Sequence, residues 1–264
     1  MYAFDYHAPK TVRQAVNLLA KNPEAKVLAG GHSLLPVMKL RLAQPSAIID
    51  LNQVEGISGV EVKGRSVVIG ALTRHYQVAA SDTLKDVLPA LASVPGSIGD
   101  PHVRHRGTIG GSIANNDPNA DYPAACLGLG ATIITNKRRI LADDFFVGMY
   151  ETALEPDELI TKVSFPIAKK AAYQKFKHPA SGFALVGVFV SKRGSEIRVA
   201  VTGAGSNGVF RVPQFEEALK KRFSPKSIEG IEVSPEGLNN DIHASAEYRA
   251  HLIGVMAKRA LAAA

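Results

Sequence analysis

Ala29-Gly30-Gly31-His32-Ser33-Leu34-Leu35-Pro36 and, about 80 residues further on, Thr108-Ile109-Gly110-Gly111-Ser112-Ile113-Ala114-Asn115-Asn116-Asp117-Pro118-Asn119-Ala120-Asp121-Tyr122-Pro123 decide how this chain is read. The first stretch follows a strand candidate and opens a helix candidate. Paired glycines there let the backbone approach a ligand, and N–H groups at a helix start face an anion. A phosphate or pyrophosphate fits such a turn, and so does a plain strand-to-helix connection. Ser33 can donate its hydroxyl or cap the helix. The second stretch gathers hydroxyls, bare backbone, and then Asn and Asp side chains, which suits a polar cofactor with phosphate and ribose groups. Asp121 can accept from ribose hydroxyls; Asp117 and Asp121 are also turn formers beside Pro118 and Pro123. Neither stretch carries Gly-x-Gly-x-x-Gly or Gly-x-x-x-x-Gly-Lys-Ser/Thr, which argues against Rossmann and P-loop readings.

Working outward, three textures follow one another, placed at residues 1–55, 56–165 and 166–264. In the first, Val12, Ala15, Val16 and Leu19 mark a helix over 11–20, with Thr11 and Gln14 as a capping box. Strands at 26–29 and 47–51 flank a helix over 33–42, a βαβ-like unit. The second holds strands at 66–72, 131–135 and 158–165. Thr73 is read as the cap of a helix from His75. A helix over 82–94 should kink or break at Pro89, and 97–107 reads as an irregular loop. The third shows antiparallel strands at 173–177, 184–192 and 196–202, with a turn at Arg193-Gly194-Ser195, and ends in an Ala-rich helix over 244–262. Strands and helices mixed in unequal runs indicate an α+β fold.

Composition narrows the function classes. The 264 residues are 46% hydrophobic and 21% charged, enough for a large core without staples. The single Cys126 permits no internal disulfide and supplies no cysteine set for an iron–sulfur or zinc site; in the apolar run 124–129 it reads as a buried, inert thiol. No run approaches a membrane-spanning length. Met1–His7 has neither a basic nor an apolar leader region, so the cytoplasm is the expected compartment. The net charge of +7 fits an anionic cofactor, an acidic partner or nucleic acid. Basic stretches are not interleaved with aromatics, so nucleic acid is not expected. No Ser-His-Asp or paired-carboxylate pattern marks a catalytic residue, and no metal ligand set is seen.

The pairing of the two glycine stretches, with Asn-x-Asp-Pro-x-Ala-Asp-Tyr-Pro after the second, resembles the FAD-binding flavoprotein subunits of the molybdenum hydroxylases. The medium subunits of aerobic carbon monoxide dehydrogenases are the nearer likeness and the FAD domains of xanthine dehydrogenases the more distant one. Phe4-Asp5-Tyr6 with Pro9, Phe165-Pro166 and Tyr248-Arg249 extend the resemblance over nearly the whole chain. It implies the FAD-binding fold of the vanillyl-alcohol oxidase type, in which two α+β subdomains hold FAD between them, followed by a C-terminal α/β domain with a small antiparallel sheet. It implies that Ala29, Gly30, Gly31, His32, Ser33 and Leu34, with Thr108, Ile109, Gly110, Gly111 and Ser112, bind the cofactor, backbone amides of both stretches gripping the pyrophosphate. Asn115 would sit near the flavin ring or ribityl chain, Asp121 at the adenosine ribose, Ile160 with its backbone at the adenine end, and Lys177 beside the isoalloxazine. His32 would be structural or phosphate-adjacent.

The same resemblance implies partners: a small subunit with [2Fe-2S] clusters and a large subunit with the molybdopterin cofactor, assembled as a dimer of heterotrimers. Electrons would pass from the clusters through FAD to a terminal acceptor. His178–Ala184, after Lys177, does not match a pattern that implies NAD as that acceptor. Pro101–Gly107 would lie near the flavin and a partner, or form a solvated basic loop. A stand-alone FAD-dependent oxidoreductase of the same fold is the alternative, and a nucleic-acid-binding module a third reading.

Overall fold

In the computed structural model, which describes residues 1–264, three main sheets follow one another along the chain. The first runs through β1 (Asp5–His7), α1 (Val12–Lys21), β2 (Lys26–Leu28), α2 (Leu34–Lys39) and β3 (Ala47–Asp50), its strands parallel in the order β1-β3-β2. Ala47, Ile48 and Ile49 of the central β3 are buried, as a parallel strand with covered faces requires. α1 starts where the Thr11 hydroxyl accepts from the Gln14 N–H at 3.2 Å. Gln14 reaches back to the Lys10 N–H, and the helix buries Ala15 and Leu19. α2 is shorter than the expected 33–42: it ends at Lys39, and Arg41 turns left-handed at φ 59°.

The second sheet begins with β4 (Val60–Lys63) and β5 (Ser66–Gly70). The next segment is helical: α3 (His75–Ala80), α4 (Asp82–Val87), α5 (Pro89–Gly96), α6 (Pro101–Arg106), α7 (Ile109–Asn115) and α8 (Tyr122–Leu129). Then come β6 (Thr132–Thr135), β7 (Arg139–Leu141), α9 (Ala142–Phe145), the ribbon β8 (Phe146–Gly148) with β9 (Glu151–Thr152), and β10 (Ile160–Pro166). The antiparallel order is β4-β5-β10-β6-β7.

Two expectations are corrected here. Residues 97–107 are not an irregular loop throughout: Pro101 opens α6, and the Asp100 carboxylate caps it by accepting from the His102 N–H at 2.6 Å. Asp-Pro is a cap followed by a pre-set first helical residue. Thr73 does not cap α3; its hydroxyl donates to the Gly70 carbonyl at 2.7 Å, and Arg74 stands at the N-cap, its N–H accepted by Gln77 Oε1 at 2.9 Å. The second glycine stretch is largely helical, as α7 and the start of α8 occupy most of it. The break at Pro89 is present: Leu88 leaves helical geometry at φ −151°, between α4 and α5.

The third sheet contains β11 (Lys170–Lys177), β12 (Ala184–Arg193), β13 (Glu196–Thr202) and β14 (Phe210–Arg211), antiparallel and paired in chain order. α10 (Pro213–Lys221) and α11 (Ala246–Ala263) follow. Ala184–Ser191 of β12 are all buried, because both faces are covered. Val188 and Val190 pack with Leu252, Ile253 and Met256 of α11. Phe189 faces the other way, into the cluster built by α8, β5, β6 and β10. All eight residues of α8 are buried, which explains an apolar run without helical period. A Cβ at Gly128 would lie 2.6 Å from the Phe189 ring, so α8 meets the sheet at glycine distance. Arg249 is 3% exposed. It donates to the Leu185 carbonyl at 2.7 Å and the Gly203 carbonyl at 3.0 Å, and pairs with Asp241 at 2.7 Å, tying α11 to the strand ends. No helix is long and apolar enough to cross a membrane.

Candidate functional site

β2 ends at Leu28 and α2 begins at Leu34, so the first glycine stretch is the connection between them. Gly31 sits at φ +78°, where a side chain would strain the backbone. No backbone carbonyl or side-chain oxygen accepts from the N–H groups of Ala29, Gly30, Gly31, His32, Ser33 or Leu34. Ser33 precedes α2 without a side-chain capping bond, and both His32 and Ser33 are exposed. Consecutive unpaired amides of this kind are the donors from which an anion-binding nest is built.

The second stretch lies against the first. A Cβ at Gly30 would come within 2.7 Å of the Gly107 Cα, and one at Gly111 would stand 3.8 Å from the Ala29 Cβ. The amides of the second stretch, however, turn inward. Ile109 donates to the Thr73 carbonyl at 3.1 Å, Gly110 to the Ala71 carbonyl at 2.8 Å and Ser112 to the Thr108 carbonyl at 3.0 Å. Gly111 donates to the Thr108 hydroxyl at 3.1 Å. Each of these four amides thus has a partner within the chain, where the first stretch leaves its amides unpaired.

Two arginines stand near these amides, Arg74 linked to the Ala29 carbonyl through Asn52 and Arg106 with its carbonyl against Gly30. Arg74 is held below the usual guanidinium range first by burial and then by the charge of Arg106. Both line a polar cleft of about 280 Å³ together with Asn52, Gln77 and His105. His75, 4% exposed, is pushed down to about 4 by burial, then by His32 and Arg74, so it is neutral at pH 7. Its Nδ1 has no hydrogen-bond partner, nor has the hydroxyl of the adjacent Tyr122, whose ring centroid is 5.4 Å away.

The remaining expected residues lie along the path from α7 to the third sheet. Asn115 ends α7, half-buried. Asp121 is 5% exposed, and both carboxylate oxygens are engaged: one accepts from the Tyr173 hydroxyl at 2.5 Å, the other pairs with Lys175 Nζ at 3.0 Å. A ribose hydroxyl at Asp121 would have to be accepted alongside these two partners. Burial raises its pKa against the opposing pull of Lys175 and Tyr173. Lys175, 2% exposed at its side chain, was not anticipated. Tyr173, Lys175 and Lys177 share one face of β11 by strand alternation, and that period of two is the signal that could have found the cluster. Lys177 itself is exposed at the end of β11, within electrostatic reach of Asp121. Ile160 is buried at the start of β10, opposite Thr135. Cys126 is buried and its thiol is pushed far up by burial, so it is inert.

An α+β frame with a run of unpaired amides and neighbouring guanidiniums suits a protein that holds a phosphorylated cofactor. Residues 2–168 match the family described as FAD binding domain in molybdopterin dehydrogenase, and the chain belongs to that family. It is 38% identical to the carbon monoxide dehydrogenase medium chain of Hydrogenophaga pseudoflava, over 99% of this chain and 96% of that one. It is 36% identical to the nicotine 6-hydroxylase medium subunit of Paenarthrobacter nicotinovorans, over 98% and 96%. Among solved structures, carbon monoxide dehydrogenase from Hydrogenophaga pseudoflava lacking the Mo-pyranopterin moiety superposes with a TM-score of 0.88 at 38% identity, covering 100% of this chain and 97% of the other.

Proposed function

We infer that this chain is the FAD-binding, electron-transferring subunit of a molybdopterin-dependent dehydrogenase. The observation that carries the reading is the unbroken set of unpaired amides from Ala29 to Leu34 beside Arg74 and Arg106. A diphosphate needs donors and countercharge together, and this connection offers both. FAD bound there supplies a redox centre able to accept and release electrons. The first-stretch amides and the Ser33 hydroxyl hold the diphosphate oxygens. Gly30 and Gly111 keep the two stretches close enough to share one ligand. Asn115 would face the ribityl chain or flavin ring, and the Ile160 backbone the adenine. Lys177 keeps a positive charge near the ring, which favours the electron-rich form.

Partners follow from the same reading. One cysteine cannot ligate iron–sulfur clusters, so [2Fe-2S] centres belong on a small partner and the molybdopterin cofactor on a large one. A dimer of such heterotrimers in the cytoplasm is the assembly proposed. The relatives support a subunit role, since two of them carry medium-chain names with different substrates, carbon monoxide and nicotine. That difference supports a substrate read elsewhere than on this chain. We take 1–55, 56–165 and 166–264 as its units, supported by one main sheet in each. An FAD titration of the purified chain, followed by flavin fluorescence and the visible spectrum, tests the reading. One-to-one saturation with a perturbed flavin band is expected; no binding at tens of micromolar, alone and with the partner subunits added, overturns it.

A further inference from the structure

We propose that Arg74 and Asn52 are positioning residues, a two-part clamp that sets the Ala29–Leu34 amides for the diphosphate of FAD; the inference rests on the FAD reading above. Asn52 lies exposed in the turn after β3 and donates from Nδ2 to the Ala29 carbonyl at 2.9 Å. Its Oδ1 accepts from Arg74 Nη2. The other arm of the same guanidinium, Nη1, donates to the Arg106 carbonyl, the group against which Gly30 packs. One side chain therefore reaches the backbone just before the second stretch directly, at Arg106, and the first stretch through Asn52.

The geometry of the peptide unit turns this contact into a consequence for the nest. The Ala29 carbonyl and the Gly30 N–H belong to one trans, planar peptide and point in opposite directions. Holding the carbonyl toward Asn52 aims the Gly30 N–H away from it, on the open side of the connection. Arg74 is half-buried beside a second guanidinium, with the Asp50 carboxylate within electrostatic reach. Its two hydrogen-bonding arms go to neutral oxygens, of Asn52 and Arg106, so it forms no direct ion pair there. A lysine offers a point charge on a flexible stem and cannot present a planar fork to both acceptors.

The test uses the full chain and four proteins: wild type, Arg74→Gln, Arg74→Lys and Asn52→Ala. FAD and ADP are titrated into each, the ³¹P resonances of bound FAD are recorded, and circular dichroism checks folding. Arg74→Gln and Asn52→Ala are expected to raise the Kd for FAD and for ADP alike by about tenfold or more. Both are expected to move the ³¹P resonances and leave the visible flavin band where it is in wild type. Arg74→Lys is expected to restore only part of the affinity. Asn52→Ala changes an exposed turn residue, so it reports even where Arg74 variants misfold. Wild-type binding with an unchanged Kd and unchanged ³¹P spectrum in Asn52→Ala and Arg74→Lys overturns the clamp alone. Loss of FAD affinity without loss of ADP affinity also overturns it, because the defect would then lie away from the diphosphate. A wild-type chain that binds neither ligand overturns the FAD reading and the clamp together.

Discussion

The two glycine stretches look alike as letters and behave as opposites in space. Residues 29–34 keep every amide free, while Ile109, Gly110, Gly111 and Ser112 each donate inside the chain. The first stretch is a set of donors. The second is a buttress: its glycines allow close approach, and its hydrogen bonds fix α7 to the Ala71–Thr73 backbone. The same division continues to Asp121, whose carboxylate turns inward to Tyr173 and Lys175. A glycine pair therefore says that backbone comes close to something, and only the hydrogen-bond pattern says whether that something is a ligand or the protein itself.

If the division is right, changes in the second stretch should register as stability and changes in the first as affinity. The largest effect is expected from Asp121→Ala, which strands Lys175 in a buried setting. Losing one partner of a buried pair costs about 3–5 kcal/mol, and urea unfolding of the FAD-free chain measures it. A loss confined to FAD affinity would instead support Asp121 at the ribose. Gly30→Val comes next: its Cβ would press on Gly107, 2.7 Å from the Cα, and part the stretches. We expect FAD affinity to fall about 100-fold, near 3 kcal/mol, and unchanged affinity would remove the first stretch from the site.

The buried His75 between the stretches gives a pH dependence of similar size. Its folded pKa of about 4 lies below its ordinary value near 6.5. The unfolded chain therefore binds the proton first, and this contribution, about 3 kcal/mol at most, is present above pH 6.5 and lost as pH falls toward 4. Unfolding curves at pH 7 and pH 5 should converge in His75→Gln and differ in the wild type. The smallest effects sharpen the comparison most. Thr108→Ala removes the cap of α7 and should cost about 1 kcal/mol of stability with FAD affinity retained. Ser33→Ala removes a hydroxyl that caps nothing; it should leave stability alone and weaken FAD binding several-fold.

Much of this was legible in the sequence because it rests on local rules. Gly30-Gly31 after an apolar triplet marked the β2–α2 connection, and the 3.6-residue period marked α1. The antiparallel trio of the third sheet followed from apolar runs around Gly194. What stayed hidden depends on distant partners. α8 has no amphipathic period because it is buried on every side. Short edge strands such as β7 and β14 carry too few residues for a pattern. The inward turn of the Gly110 and Gly111 amides depends on Ala71 and Thr108 being in place. Asp121 read as a ligand group because its partners, Tyr173 and Lys175, stand more than fifty positions later.

The burial of α8 has a consequence for how such proteins can be recombined. The segment matched to the family ends at residue 168, yet the core it builds continues into Phe189 and Ala200. Gly128 leaves room on the helix for that one aromatic ring. Cutting the chain at 168 would bare the apolar wall of α8 to water, and replacing Phe189 with alanine would cost about 3–5 kcal/mol. A chimera that joins this amino-terminal portion to a carboxy-terminal sheet from another family member should therefore keep its solubility only when the donor brings a ring of matching size to the position facing Gly128. The seam in the sequence is not a seam in the solid.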